Sequence, residues 1–587
     1  MYGRSAAIAL LLLLITACVK PCSALGPTPY YRRVVASYTI NEDRSVLLSH
    51  EYTLVNPFPR TVIYTIKHYI PTEKTEGVTV RGPPELSYSV KKENNYTSVE
   101  LSFTLRRGDD ITYTISCTAR GMVSGAGPGY VAKLGSIELG DESYPYENYV
   151  VEVTGPPGTA LFTSSPGIEQ TSTDPPSVRY ETRLSAPGKF EGLLVSFYVP
   201  KVFYAVTMTT ELYNSGLGDA TDVSLDSVLF PKVDWQFSAL LESNFPLSRM
   251  YTDEENNYHG VFKIGTLKAG ETKILEIRVL YEESVYDPEI SPEDSGTISE
   301  VGESLGGYLK PDECWEVSDP QISTKARELA GTAVNAFLIA REMYNFVSSN
   351  LEYEKQDARM GALWTLSNLR GDCSEFTDLF IALCRASGVP ARAIYGWGYS
   401  EENVTGHAWA QFYAPGVGWL VTDPTWGNRG ENYFSRQDSI HLARCIRGLS
   451  SGESCVNVAY RGQSISFSEN VTMRTLSVQE YAMSLLKAAE LACGTADNLV
   501  KKYGDENTAA LLKSAVDEIS LAKGSGNYQL VLIHSKNSLW NSYAVIESLC
   551  NIEETEQSPL MPVAFVTAAV VVLAFAVYLA KRRAQVL

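Results

Sequence analysis

The chain has 587 residues, enough for about four domains at roughly 150 residues each. Acidic residues outnumber basic ones 68 to 49, and the net charge of −19 argues against nucleic acid, which needs a basic face. Apolar residues at 44% and 35 tyrosines describe a folded, β-rich, secreted-type chain and exclude a disordered one.

The N-terminus reads as a signal peptide over residues 1–24. Arg4 precedes an apolar run from Ala6 to Ala17, and small residues lead to a cleavage position after Ala24. Ile15-Thr16-Ala17-Cys18 also resembles a bacterial lipobox, in which Cys18 would carry the lipid, so both readings of the leader stay open.

Residues 25–200 alternate apolar and polar side chains in short β-branched and aromatic runs, such as TVIYTIKHYI and DDITYTISCTA, separated by Gly, Pro and Asn. That pattern predicts one β-sandwich or a pair of them. Residues 201–283 predict another small sandwich. They resemble the immunoglobulin-like repeats of prokaryotic surface proteins, with a strand ending in Asn214-Ser215-Gly216 and a later one followed by Gly265-Thr266-Leu267-Lys268-Ala269-Gly270. The acidic, Gly-, Pro- and Ser-containing stretch 284–312 reads as a linker. Residues 313–470 form the next unit, opening on helical periodicity, and residues 471–558 predict three antiparallel helices forming a stalk.

Residues 560–580, LMPVAFVTAAVVVLAFAVYLA, carry no charge and are long enough at 1.5 Å per residue to cross ~30 Å of hydrocarbon. Lys581, Arg582 and Arg583 follow and place the tail 581–587 in the cytoplasm. The expectation is a single-pass membrane protein with its large N-terminal part outside. Sequons at Asn95, Asn403 and Asn470 fit an exposed ectodomain. Leader, sequons and tail together are compatible with an archaeal surface protein.

An ectodomain permits disulfides. Eight of the ten cysteines lie beyond the leader, and two pairings are expected: Cys445 with Cys455 across a short loop, and Cys493 with Cys550 in the last helical region. Setting Cys373 apart leaves an odd number, as one reactive thiol requires.

Cys373 lies in LRGDCSEFTDLFIALCRASGVPAR, residues 369–392. Arg370-Gly371-Asp372 is read as the turn into a helix, in preference to an adhesion motif. Phe376, Leu379, Phe380 and Leu383 mark the helix's buried face, and Cys384 falls in the same stripe as a core residue. A helix N-terminus favours thiolate over thiol by only about 0.3–1 kcal/mol, so a histidine has to supply the rest. Glu375 and Asp378 are read as first-turn carboxylates favoured by the helix dipole. His407 opens the strand HAWAQFY, and VGWLVTD ends at Asp423 before a proline. Pairing Tyr413 with Val417 puts His407 directly across from Asp423, where a carboxylate can orient the imidazole and leave its other nitrogen for a thiol.

This order of blocks, GDCSEFTDLF, then GHAWAQFY, then TDPTW, resembles the transglutaminase-like superfamily, with its papain-like core, over about residues 320–435. The resemblance implies a prokaryotic or archaeal membrane-anchored protein of multidomain α+β architecture. It also implies Cys373 as nucleophile, His407 as base and Asp423 as orienting carboxylate, with Trp364 a candidate to line the cleft. It further implies a thioester with a peptide or carboxamide carbonyl, resolved by water or by an amine. Protein or peptide substrates at the cell surface are the expected partners, and no metal or other cofactor is expected. The rival reading is a non-catalytic surface binding or scaffold protein carrying a silent domain of this kind.

Overall fold

The computed structural model describes residues 30–557, apart from 126, 135–145, 166–167, 185–191, 401–402, 453 and 463. The expected signal peptide and the apolar segment 560–580 lie outside the described residues. Among those described, no helix is long and apolar enough to cross a membrane. The chain divides into two units, one up to Tyr198 and one from Val199 onward.

The first unit is all β. A seven-stranded sheet has the central strands Tyr30–Ile40, Val46–Val55 and Tyr146–Thr154, the first and last of them parallel. A three-stranded and a four-stranded sheet complete it, and side chains from all three sheets meet in one apolar core. The alternation seen in the sequence is the alternation of buried and solvent-facing residues along these strands.

The second unit contains a sandwich, an α/β layer and a helical bundle. Strands β1 (Lys201–Asn214), β2 (Ala220–Pro231), β3 (Gln236–Ser243), β4 (Leu247–Thr252), β5 (Asn257–Leu267) and β6 (Thr272–Ser284) make most of the sandwich. The expected Asn-x-Gly turn has a physical basis. Asn214 is fully buried, its Nδ2 donates to the carbonyls of Gly218 and Leu267 at 2.9 and 3.0 Å, and its Oδ1 accepts from the Gly216 N–H at 2.9 Å.

The segment expected to be a linker is an ordered strap. It carries three short 3-10 turns, the Gly296 N–H donates to the Pro415 carbonyl at 2.7 Å, and Tyr308 packs edge-on to Trp419 at 5.0 Å. Its backbone groups are satisfied partly by its own turns and partly by the next domain, so its polar composition marks irregular structure and not a spacer.

Helices α1 (Pro320–Ala330), α2 (Ala336–Asn350), α3 (Ala362–Asn368) and α4 (Cys373–Ala386) lead into strands β7 (Ala391–Ser400), β8 (Asn403–Ala414) and β9 (Gly418–Thr422), a short helix α5 (Pro424–Gly427), and strand β10 (His441–Arg447). The sheet order is β9-β8-β7-β10, antiparallel throughout. α4 packs across β8 and β7 and is the central helix of the layer.

Two boundaries differ from expectation. Strands β11 (Val456–Arg461) and β12 (Ile465–Leu476), which the sequence groups with the preceding domain and the stalk, return to the sandwich. β11 pairs with β2 and β12 with β1, so each sandwich sheet gains its fourth strand. The last three helices, α6 (Val478–Tyr503), α7 (Glu506–Gly524) and α8 (Tyr528–Gln557), are not a separate stalk. They share one core with the sandwich: Tyr481 stacks on Phe203 at 4.4 Å, and the Leu240 N–H reaches the Tyr543 hydroxyl at 3.4 Å. Apolar residues beyond those needed between three helices are buried on the sheets.

Candidate active site

The start of α4 is set by Asp372. Its backbone is extended, its Oδ1 accepts from the Ser374 N–H at 3.0 Å, and Glu375 Oε2 accepts from the Asp372 N–H at 2.9 Å, a complete capping box. Glu375 also accepts the Met360 N–H at 2.8 Å, and burial raises its carboxyl. Gly371 is required here because a Cβ would lie 2.3 Å from the Glu375 Cβ. Cys373 is thereby fixed as the first residue of the helix, where backbone N–H groups have no intrahelical acceptor.

Phe376, Leu379, Phe380, Leu383 and Cys384 are all fully buried, as the stripe predicts. Asp378 is not a dipole-stabilised carboxylate at the surface. It is completely buried, accepts the Trp315 indole N–H at 2.8 Å and the Arg359 Nε–H at 2.7 Å, and forms an ion pair with that guanidinium. The Arg-Gly-Asp triplet is the turn, with Arg370 paired to Glu354 at 3.1 Å.

His407 lies on β8. Tyr413 pairs with Trp419 and Ala410 with Thr422, so the hairpin register is two residues away from the one expected and His407 is not opposite Asp423. The closing pair is Ala414 with Gly418, so the three-residue turn is 415–417 and lies one position further along the chain than expected. A shift of two preserves the face on which each side chain lies, and diagonal neighbours stay within side-chain reach. Asp423 has left the strand to cap α5: its Oδ1 accepts the Thr425 and Trp426 N–H groups at 2.8 and 3.1 Å. Its Oδ2 lies 2.8 Å from His407 Nε2. The Cys373 thiol hydrogen-bonds to the same imidazole, whose remaining nitrogen is Nδ1.

A further residue completes the set. His441, at the start of β10, has Nε2 3.0 Å from Asp423 Oδ2 and Nδ1 2.8 Å from Asp438 Oδ1. The Asp438 Oδ1 also accepts the Ile440 N–H at 2.9 Å, and its Oδ2 accepts the Tyr433 hydroxyl at 2.5 Å. Sequence reasoning missed His441. The only local signal was an aspartate three residues before a histidine, and its other partner is 18 residues away.

Burial works against both imidazolium ions, but the neighbouring groups prevail. His407 is raised to about 9 by Asp423 and by its hydrogen bond to Cys373, and His441 to about 9 by Asp438 and Asp423. Burial likewise opposes the Asp423 carboxylate, which the two histidines nevertheless hold well below the usual carboxylate range. The ring of Trp409 stacks on His407 at 5.5 Å, and Trp426 lies 4.2 Å from His441. Donor atoms of His407, Asp423 and His441 fall within 4.8 Å of one another. Each is also engaged in the hydrogen-bonded line, an arrangement that can hold and pass protons.

Cys373 and His407 open into a cavity of about 280 Å³ whose walls include Tyr395, Trp397, Arg444 and Cys455. Trp364 is not in that wall. It stands half-buried on α3 with the Arg370 guanidinium 5.9 Å from its ring centre. None of the seven described cysteines is in a disulfide, so neither expected bridge is formed. Cys445 and Cys455 are thiols in hydrogen-bond contact. That bond and the nearby Arg444 and Arg447 charges lower Cys455 to about 7 against the effect of burial, while burial raises Cys445. Cys493 is a buried thiol on α6, and the Cys550 side chain lies outside what is described.

Residues 323–424 match the model of the Transglutaminase-like superfamily, a stretch that holds Cys373, His407 and Asp423. An uncharacterized protein of Haemophilus influenzae is 28% identical over 123 residues, covering 16% of this chain and 33% of the relative. A protein-glutamine gamma-glutamyltransferase of Pseudomonas aeruginosa is 33% identical over 66 residues, 10% of each chain. Among solved structures, the periplasmic domain of TgpA from Pseudomonas aeruginosa, bound to ethylmercury, is 13% identical with a TM-score of 0.22, covering 40% of this chain and 94% of that one. This chain thus spans a third or less of the two curated relatives. The middle of the second unit, residues 323–424, is a transglutaminase-like domain.

Proposed function

We propose that this protein is a thiol-dependent acyl hydrolase or transferase of the cell surface, with Cys373 as nucleophile. The observation that carries the proposal is the hydrogen-bonded line from Cys373 through His407 to Asp423, opening into a cavity.

Each group has a task in that chemistry. The Cys373 thiol passes its proton to His407, and the thiolate attacks the carbonyl carbon of a peptide or carboxamide. The C–S bond forms, the His407 imidazolium gives its proton to the departing amine, and the C–N bond breaks to leave a thioester. Water or a primary amine then attacks the thioester, His407 takes that nucleophile's proton, and the Cys373 thiolate departs. Asp423 holds the imidazole and stabilises its charged form. The Cys373 backbone N–H, at the start of α4, supplies a dipole for the carbonyl oxygen as it becomes negative. The leader at 1–24 and the apolar segment 560–580 support a membrane-anchored site facing the outside, where protein and peptide amides are the available substrates.

The test is iodoacetamide labelling of the full-length protein across pH, with Cys373 followed by peptide mass spectrometry. Labelling of Cys373 below pH 7.5 is expected to be fast, and His407→Ala is expected to slow it at least tenfold. An ordinary labelling rate that ignores His407→Ala would overturn the enzyme reading and leave a binding or scaffold role.

A further inference from the structure

Asp423 is usually thought of as the end of such a line. Here the line continues. A single oxygen of Asp423 accepts from both His407 and His441, and His441 is clamped on its far side by Asp438. Both ring nitrogens of His441 therefore face carboxylate oxygens. A carboxylate offers only acceptors, so both nitrogens must donate, and a ring that donates twice is an imidazolium. The ring is 1% exposed, its centre is 5.3 Å from that of His407, and no water can screen one from the other.

We propose that His441 is a positioning residue that acts as a permanent buried cation behind Asp423. It holds the carboxylate by one hydrogen bond and sets how strongly the Cys373–His407 pair retains its protons. This inference rests on the proposed role of Cys373, His407 and Asp423.

Other charged and titratable groups face the set from each surrounding element. They are Tyr344 on α2, Asp372 at the start of α4, Tyr433 in the loop before β10, Arg444 on β10, Cys455 across the cavity, and Glu283 on β6 near Asp438. Glu283 is fully buried, and burial together with the nearby Asp438 and Glu282 pushes its carboxyl well above the usual range. Arg444 is tied to Glu469 on β12. His441 is thus the cation in direct contact with Asp423 besides His407 itself.

Two substitutions separate this charge from a merely structural role, because they are expected to act with opposite sign. His441→Gln keeps a donor for Asp423 but removes the positive charge. The pH of half-maximal Cys373 labelling is expected to rise, slowing labelling at pH 6.5 about three- to tenfold while the high-pH plateau is unchanged. Asp438→Asn keeps the contacts: its oxygen still accepts from Ile440 and His441, and its amide donates to Tyr433. It removes a negative charge, so half-maximal labelling is expected at lower pH than in the unsubstituted protein. The full-length protein is used, and circular dichroism confirms that each variant is folded. If His441→Gln does not fold, Asp438→Asn alone decides. A uniform slowing at every pH, shifts of the same sign, or no shift would overturn the inference. If the unsubstituted protein shows no effect of His407→Ala, it is the enzyme reading that has failed instead.

Discussion

His407 Nε2 lies 2.8 Å from Asp423 Oδ2 although the two residues are not cross-strand partners. The contact depends on Asp423 having left its strand to cap α5, with its other oxygen held by two backbone N–H groups. Asp423→Asn keeps that cap but loses the charge that favours the His407 imidazolium. Cys373 labelling below pH 7.5 is expected to fall by tenfold or more, and turnover of any amide substrate by up to about 10⁴-fold, the loss that follows when a triad aspartate becomes asparagine.

Stability should carry the imprint of the same groups. His407 and His441 are both raised from 6.5 to about 9 in the folded chain. Groups raised by folding stabilise fully below their unfolded value, and that contribution is lost as pH climbs through the folded value. The melting temperature is therefore expected to decline between about pH 6.5 and 9, and His407→Ala should flatten part of the decline. A melting temperature that rises across this interval in the unsubstituted protein would show that the two rings are not charged.

Asp378 gives a prediction about folding alone. Arg359→Ala removes the ion-pair partner of a fully buried carboxylate that also accepts from the Trp315 indole. Stripping the partner from a buried pair costs about 3–5 kcal/mol. Denaturant unfolding should register that loss, and Asp378→Asn combined with Arg359→Ala should recover part of it because no charge remains buried.

The neighbouring thiols Cys445 and Cys455 should oxidise to a disulfide in preference to any other pair. A mild oxidant is expected to remove 2 Da, map to a 445–455 crosslink, and block alkylation of Cys455 at pH 7.5, where its lowered value makes it reactive. Crosslinks distributed among other cysteines would refute this.

What the sequence disclosed follows from what is local. The capping box at Asp372 and Glu375, the apolar stripe of α4, the Asn214 turn and the strand alternation all depend on residues a few positions apart. The chemistry-bearing residues were legible as a family pattern, Cys373, His407 and Asp423, and the structure brings all three together. What stayed hidden depends on distant partners. The hairpin register missed by two because the three-residue turn sits one position further along the chain, and a shift of two leaves the strand alternation unchanged. His441 needed Asp423, and Asp378 needed Arg359 and Trp315. Trp364 was credited with the cleft from its nearness in sequence, whereas Tyr395 and Trp397 of β7 line it.

The pairing of β11 with β2 and of β12 with β1 has a consequence for how the protein is made. The polypeptide leaves the sandwich after β6 and re-enters it more than 170 residues later, so the whole transglutaminase-like layer is a loop closed at both ends by one sandwich. A nascent chain that has just finished β6 holds two three-stranded sheets, each with a bare edge. Those edges wait until the segment bearing Cys373, His407, Asp423 and His441 has been synthesised and β12 has followed it out. Completion of the sandwich thus reports that the thiol site is present in full, and any message truncated before residue 476 yields a chain whose own scaffold is left open.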